Sequence, residues 1–168
     1  MTRIPPRLVA ATAAAFLVAV SPLAAAAAAS KAAQPEREVF HLRELEVPFG
    51  YSQAVRVGDT IHISGSVSMD ASGQLLAKGD MAAQLRNAYA DIRKTLAHFG
   101  ATFGDVVEET IYTTDMDKLL AAAGTVRADV YKGADYPAGS WVGVTRLVDP
   151  DYLVEISVTA VRRPKPRP

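Results

Sequence analysis

Cysteine is absent from this 168-residue chain, and its absence removes several kinds of chemistry. Without cysteine there is no disulfide bond, no thiol nucleophile and no thiolate ligand for zinc or an iron–sulfur cluster. An excess of one charge is lacking too, because 18 lysines and arginines balance 18 aspartates and glutamates. Proteins that bind nucleic acid usually carry a strong basic excess, so nucleic acid is not expected as the main partner. The length suits one globular domain and is short for two.

Familiar catalytic motifs are also missing. The sequence contains no G-x-S-x-G nucleophile elbow, no Walker loop and no G-x-G-x-x-G dinucleotide fingerprint. The three histidines, His41, His62 and His98, fit no metal-binding spacing, and we expect them at the surface or on a sheet face. We therefore expect no metal site.

The first 30 residues have the character of a secretory signal peptide. Arg3 and Arg7 form a basic start, an apolar run follows, and twelve of these 30 residues are alanine. Pro22 ends any helix, and the small residues after it suit signal peptidase. The stretch from residue 8 to 29 is also nearly long enough to stay as an uncleaved membrane anchor. The pattern favours cleavage and predicts export to a bacterial periplasm or beyond, with no stable membrane span left in the mature protein.

Composition divides the remaining chain into three parts. Residues 31–44 begin as a polar, alanine-rich stretch and are predicted to be a linker. Residues 45–163 alternate short apolar runs with turn residues, which is typical of a folded domain. Residues 164–168 belong to a basic, proline-interleaved tail that can form neither a helix nor a central strand. We expect this tail to be solvated and disordered, and contact with an anionic membrane surface is the alternative.

A β-hairpin is predicted near the start of the domain. Residues 54–57 and 60–64 alternate apolar with polar side chains, and Gly58-Asp59 forms the turn between them. The apolar residues of both strands are expected to share one buried face: Val55, Val57, Ile61 and Ile63.

Two amphipathic helices follow the hairpin. Asp80 is the predicted N-cap of the first helix, which ends at about His98 with Gly100 just beyond it. Asp117 is the predicted N-cap of the second helix, which ends near Lys132. Charged residues beside the apolar stripe of the first helix are expected to face water: Arg86, Asp91, Arg93 and Lys94.

Three further strands are predicted at residues 105–113, 141–147 and 153–161. The resulting order, β-β-α-β-α-β-β, predicts an α+β domain in which two helices cover one face of a sheet. The other face then needs a partner, which favours self-association. Glu108 and Glu109 are expected at a solvated strand edge.

Glu155 interrupts the apolar pattern in the middle of the last predicted strand. A carboxylate there needs a polar cavity or partners, unless its face of the sheet is exposed to water. The pattern alone leaves both interpretations open, a functional carboxylate and a solvated one.

Five segments resemble, in order, the successive signatures of the RidA/YjgF family. They are GYSQA at 50–54, ISG at 63–65, DVV at 105–107, PAGSWVGV at 137–144 and LVEISVTAV at 153–161. The resemblance implies a chorismate-mutase-like α+β fold that assembles as a homotrimer, with small-molecule clefts between neighbouring subunits. Archetypal members hydrolyse reactive imines and enamines to a carbonyl compound and ammonia, and they use neither a metal nor a cofactor.

The resemblance also implies roles for single residues. Glu155 matches the catalytic glutamate that helps to place the attacking water. Tyr51 matches a tyrosine of the first signature, and Ser64 and Gly65 match the segment whose backbone lines the cleft.

At the carboxylate clamp the chain departs from the family pattern. Gly139 stands where archetypal members carry an arginine that grips the substrate carboxylate, and Trp141 stands where they carry a small residue. Both positions are predicted to contact the ligand, and packing of Trp141 in the core is the alternative. A lost bidentate contact costs roughly 2–5 kcal/mol of binding free energy.

Two functions therefore stay open. The first is an imine or enamine deaminase, a hydrolase acting on C=N bonds, whose substrate lacks the clamped carboxylate or is held otherwise. The second is a non-catalytic periplasmic trimer that binds or protects a small metabolite.

Overall fold

Residues 35–132 and 135–162 are described by a computed structural model of the chain. The predicted signal peptide, residues 1–30, and the tail, residues 164–168, lie outside these described residues. The strands are β1 (Arg37–Phe40), β2 (Ala54–Val57), β3 (Thr60–Ser66), β4 (Val106–Thr113), β5 (Ala138–Gly143) and β6 (Val154–Val161). The helices are α1 (Met81–His98) and α2 (Met116–Tyr131), with short 3-10 turns at Glu44–Glu46 and Phe103–Asp105.

All six strands join one sheet in the order β1-β2-β3-β6-β4-β5. Neighbours are antiparallel except β4 and β5, which are parallel because α2 carries the chain back between them. Buried side chains of β3, β4 and β6 form one core with those of both helices, so the helices share one face of the sheet. The predicted α+β fold is confirmed.

Alternation along β6 defines the two faces of this sheet. Val154, Ile156, Val158 and Ala160 are buried, while Glu155, Ser157 and Thr159 between them are partly exposed. We call the face that carries Glu155 the open face, because neither described helix covers it. Neither helix has the length and hydropathy needed to cross a bilayer.

Helix α1 begins and ends as the sequence predicts. The Asp80 carboxylate accepts the backbone N–H of Ala83 at 2.9 Å, and Gly100, just past the last turn, adopts a φ of 69°. The predicted cap of α2 is wrong. Asp115, with extended backbone, accepts the N–H of Lys118 at 3.0 Å, whereas Asp117 lies inside the first turn. Two aspartates so close together both fit the capping pattern, and the backbone selects the first.

The predicted hairpin forms, but its apolar residues do not share a face. Val55 pairs with His62 and Val57 pairs with Thr60, while Ile61 and Ile63 pair with Arg56 and Ala54. Directly paired residues point to the same side of a sheet, and a two-residue turn matches odd-numbered with even-numbered positions. The isoleucines therefore enter the core and the valines lie on the open face.

Two boundaries also differ from the prediction. Residues 37–40, inside the predicted linker, form the edge strand β1 and pair with β2. The strand predicted at 141–147 begins earlier, at Ala138, and ends at Gly143, because its register is set by parallel pairing with β4.

Two acidic residues predicted to face water are buried. Asp91 forms an ion pair with Arg43 and lies 3.0 Å from the Lys94 ammonium. Glu109 is fully buried because its side chain lies on the helix-covered face of β4, an inner strand between β6 and β5 rather than an edge strand. Its neighbour Glu108, on the open face, is exposed as predicted.

Candidate functional site

Glu155 reaches across the open face to lie over Gly65 of β3. A β-carbon added to Gly65 would lie 2.6 Å from Cδ and 2.9 Å from Cγ of Glu155. The pairing of β3 with β6 shifts register between Ile63 and Ser66, which marks an irregularity at this position. Only glycine leaves room for the carboxylate here.

The Glu155 carboxylate is half-buried and has no hydrogen bond or ion pair to another described residue. Burial alone raises its pKa above the usual value for glutamate. Once ionised, a carboxylate with a raised pKa is a stronger base than an ordinary glutamate and is better suited to take a proton from a bound water. Of the two interpretations that the sequence left open, these properties fit a functional carboxylate better than a fully solvated one.

Ser64 and Tyr51 lie beside this carboxylate. The Ser64 hydroxyl donates to the Ser52 carbonyl at 2.7 Å, and its N–H donates to the Gln53 carbonyl at 2.9 Å. These bonds fix the segment that carries Tyr51 against β3. Burial raises the pKa of Tyr51, and the negative charges of Glu46 and Glu155 raise it further. The structure thus brings together Tyr51, Ser64, Gly65 and Glu155.

A second carboxylate, Glu46, fixes the segment that carries Tyr51 by hydrogen bonds. It is fully buried and accepts the backbone N–H groups of Leu42, Arg43 and Gln53 at 3.0–3.2 Å. The Gln53 amide in turn donates to the Ser66 hydroxyl at 3.0 Å. Sequence reasoning missed Glu46, because a glutamate among charged neighbours carries no local sign of burial.

Gly139 and Trp141 do not join these four residues within one chain. They pair with Glu109 and Ile111 of β4, so they lie on the helix-covered face, whereas Glu155 lies on the open face. Strand β4 also separates β5 from β6. The Trp141 ring packs partly against the core, in line with the alternative that the sequence offered.

Beside Gly139, Glu109 forms the centre of a polar cluster. Its carboxylate accepts the hydroxyls of Tyr89 and Tyr131 at 2.8 Å each and the Arg127 Nε–H at 2.9 Å. Burial, with the Glu109 charge second, raises the pKa values of both tyrosines. The Arg127 guanidinium carbon also lies 5.7 Å from the centre of the Trp141 ring. Sequence reasoning did not find this cluster.

The three histidines occupy separate places. His62 is exposed on the open face, His98 stacks on Phe40 with ring centres 4.0 Å apart, and His41 lies 3.4 Å from Glu46. Among the residues described, no group of three or more His, Asp or Glu side chains is placed to hold a metal ion.

Fold and site together define a small α+β domain with an unpaired carboxylate over a glycine of the neighbouring strand. The family model described as Endoribonuclease L-PSP matches residues 42–162. A RutC family protein from Pyrococcus abyssi is 32% identical over 127 residues, which are 75% of this chain and 98% of that protein. The 2-iminobutanoate/2-iminopropanoate deaminase of Salmonella typhimurium is 31% identical over 114 residues, 67% of this chain and 88% of that protein.

A solved structure gives the same result. The crystal structure of Rv2704 from Mycobacterium tuberculosis, a member of the YjgF/YER057c/UK114 family, superposes with a TM-score of 0.66 at 34% identity. The match covers 76% of this chain and 100% of that one. The chain therefore belongs to the Endoribonuclease L-PSP family, the RidA/YjgF family that its signature segments predicted.

Proposed function

We propose that this protein hydrolyses reactive imines or enamines to a carbonyl compound and ammonia. The observation that carries the proposal is the half-buried, unpaired carboxylate of Glu155 over Gly65, beside Tyr51. Relatives at 31–32% identity that carry the name of an iminobutanoate/iminopropanoate deaminase support it.

The reaction needs few catalytic groups, because an iminium carbon is already electrophilic. Glu155 takes a proton from a water molecule as the water oxygen bonds to that carbon, and the C=N electron pair moves to nitrogen. Glu155 returns its proton to the nitrogen, the C–N bond breaks and ammonia leaves. The added hydroxyl then gives its proton back to Glu155 as the C=O bond forms, and this proton passes to the solvent or to ammonia. Holding the water and the imine in the right orientation supplies most of the acceleration.

The proposed working form is a homotrimer that uses the open face. That face carries apolar Val55 and Val57 beside polar side chains, and the described helices leave it uncovered. A cleft between subunits would also bring Gly139 and Trp141 of one chain toward Glu155 of another. Sedimentation equilibrium of the purified protein should give three times the chain mass, and a monomer would contradict the assembly.

Export is proposed on the basis of the N-terminal segment. Fractionation of producing cells, with mass spectrometry of the recovered protein, should find it in the periplasm and shortened by about the predicted signal peptide. Full-length protein in the membrane fraction would favour the uncleaved anchor instead.

Turnover is tested with imines generated in situ by an amino-acid oxidase or an amine oxidase. The protein, purified after expression of the full chain, should accelerate release of the carbonyl product. Glu155→Gln should lower this acceleration by about 100-fold or more, since a positioned general base contributes that much. Glu44→Gln makes the same change at an exposed position in a 3-10 turn outside the sheet and should retain activity.

The pH profile gives a second readout. Glu155 must be ionised to accept a proton, so the rate should rise with pH through a pKa above that of an ordinary glutamate. Glu155→Gln should lose this rise. A folded protein that accelerates hydrolysis of neither kind of imine would favour the second function, ligand binding without turnover. The glycine at position 139, where archetypal members carry an arginine, supports that second function.

A further inference from the structure

A cleft of about 390 Å³ is lined in part by Tyr51. Three loops meet there, and most of the lining is apolar or aromatic. The principal lining side chains are Leu45, Phe49, Tyr51, Met69, Val148 and Tyr152. The mechanism above uses only Tyr51 among them.

Two of these side chains are far more exposed than large apolar groups usually are. Phe49 and Val148 are each 75% exposed, whereas Tyr152 is only 4% exposed. Each Å² of apolar surface that a ligand removes from water contributes about 25 cal/mol to binding. The cleft therefore favours an apolar group that covers Phe49 and Val148.

Tyr51 links the cleft to the proposed reaction site. Its ring lines the cleft, and it lies close enough to Glu155 for the carboxylate charge to raise its pKa. Tyr51 therefore borders both the cleft and the Glu155 carboxylate.

The charges around the cleft disfavour a carboxylate. Asp149 lines it, and no lysine, arginine or histidine does. The ammonium of Lys78, the nearest lysine along the chain, lies 2.6 Å from Asp151. Arg43 is committed to Asp91 and to two backbone carbonyls. Arg146, three residues before Asp149, is exposed and does not line the cleft. An anionic ligand in the cleft would therefore meet Asp149 and no cation of the lining, whereas a cationic ligand is attracted.

We infer that the cleft selects the apolar side chain of a cationic iminium that carries no carboxylate, an imine derived from an amine rather than from an amino acid. The inference rests on the proposed function for the reaction itself. The selectivity, however, is a binding property that can be measured without turnover.

Calorimetric titration of the purified protein measures this selectivity with three stable probes: 2-phenylethylammonium, 3-phenylpropionate and ethylammonium. We expect 2-phenylethylammonium to bind at least about tenfold more tightly than the other two, a difference of about 1.4 kcal/mol. Phe49→Ser should weaken its binding. Leu120→Ser, which removes an exposed apolar side chain on α2, should not.

Asp149→Asn tests the charge separately. The amide oxygen can still accept the Asp151 N–H that Asp149 Oδ1 accepts at 2.8 Å, so the loop should keep its shape. The variant should weaken binding of the ammonium and leave any weak binding of the carboxylate unchanged or improved.

Several outcomes would overturn the inference: equal or tighter binding of the carboxylate, no binding of any probe, or binding that Phe49→Ser leaves unchanged. The proposed function fails separately. Selective ammonium binding without hydrolysis of any imine refutes only the enzyme, whereas hydrolysis of amino-acid imines without selective ammonium binding refutes only the inference.

Discussion

Glu109→Gln removes the charge at the centre of the cluster that joins β4 to both helices. The carboxylate is fully buried, and Arg127, its counter-ion, has a side chain only 14% exposed with Nη2 2.7 Å from Oε1. Glutamine keeps the size of the side chain but leaves a mostly buried guanidinium without its anion. Breaking one partner of a buried pair typically costs about 3–5 kcal/mol of the free energy of unfolding. That is a large part of the 5–15 kcal/mol or so that stabilises a typical domain.

Urea unfolding followed by circular dichroism measures this loss. With a dependence on urea of about 1–3 kcal/mol per M, the midpoint should fall by about 1 M or more. Protein concentration is held fixed because oligomer stability depends on it. Glu44→Gln makes the same change at an exposed position and should alter the free energy by no more than about 0.5 kcal/mol.

A double variant, Glu109→Gln with Arg127→Gln, tests the pairing itself. If the two side chains stabilise each other, the double variant loses less stability than the sum of the single losses. A loss below about 1 kcal/mol in Glu109→Gln, or additive single losses, would refute the reasoning that this ion pair supports the fold.

Two further predictions concern single carboxylates. Because burial raises the pKa of Glu155 in the folded state, its ionisation opposes folding: the loss of stability begins as the pH rises through the ordinary glutamate pKa of the unfolded chain and is complete above the raised pKa of the folded state. Glu155→Gln should therefore unfold at a higher temperature than the wild type near neutral pH and converge with it in acid; a lower melting temperature at neutral pH would contradict this. Asp115→Ala should cost about 1 kcal/mol as a lost N-cap. Asp117→Ala should cost less than about 0.5 kcal/mol. If urea unfolding showed a larger loss for Asp117→Ala than for Asp115→Ala, the cap would be Asp117, as the sequence predicts.

Elements whose signals are local could be predicted from the sequence. The signals that define α1, its cap, its apolar stripe and its terminal glycine, all lie within the helix or directly at its ends, and its bounds were confirmed. Strand β1 has no such signal. Its four residues become a strand only because β2 offers an edge, and a polar, partly exposed segment of that length looks like a linker.

Buried charges could not be predicted, because their partners are remote in the sequence. Arg43 and Asp91 are 48 residues apart, and Arg127 and Glu109 are 18 apart. Each charged residue by itself has the pattern of a solvated one. Only the fold shows that two of them meet where water is excluded.

The candidate site, too, could be predicted from the sequence only in part. Tyr51, Ser64, Gly65 and Glu155 were predicted from the signature segments, and they lie together. The apolar wall of the cleft was missed, because an isolated apolar residue in a loop, such as Phe49 or Val148, carries no periodic pattern.

The structural carboxylates of this domain have hydrogen-bond or ion-pair partners, and the functional candidate, Glu155, has none in the described part of the chain. Glu46 accepts hydrogen bonds from three backbone N–H groups. Asp91 pairs with Arg43 and Lys94, and Glu109 pairs with Arg127 and accepts two tyrosine hydroxyls. Glu155 has lost part of its hydration and has gained no such partner among the described residues. Selection for stability alone would favour glutamine at this position, which fits the same space without a charge. The proposed reaction requires such a carboxylate, because a charge without a partner among these residues can hold a water molecule beside a cationic iminium.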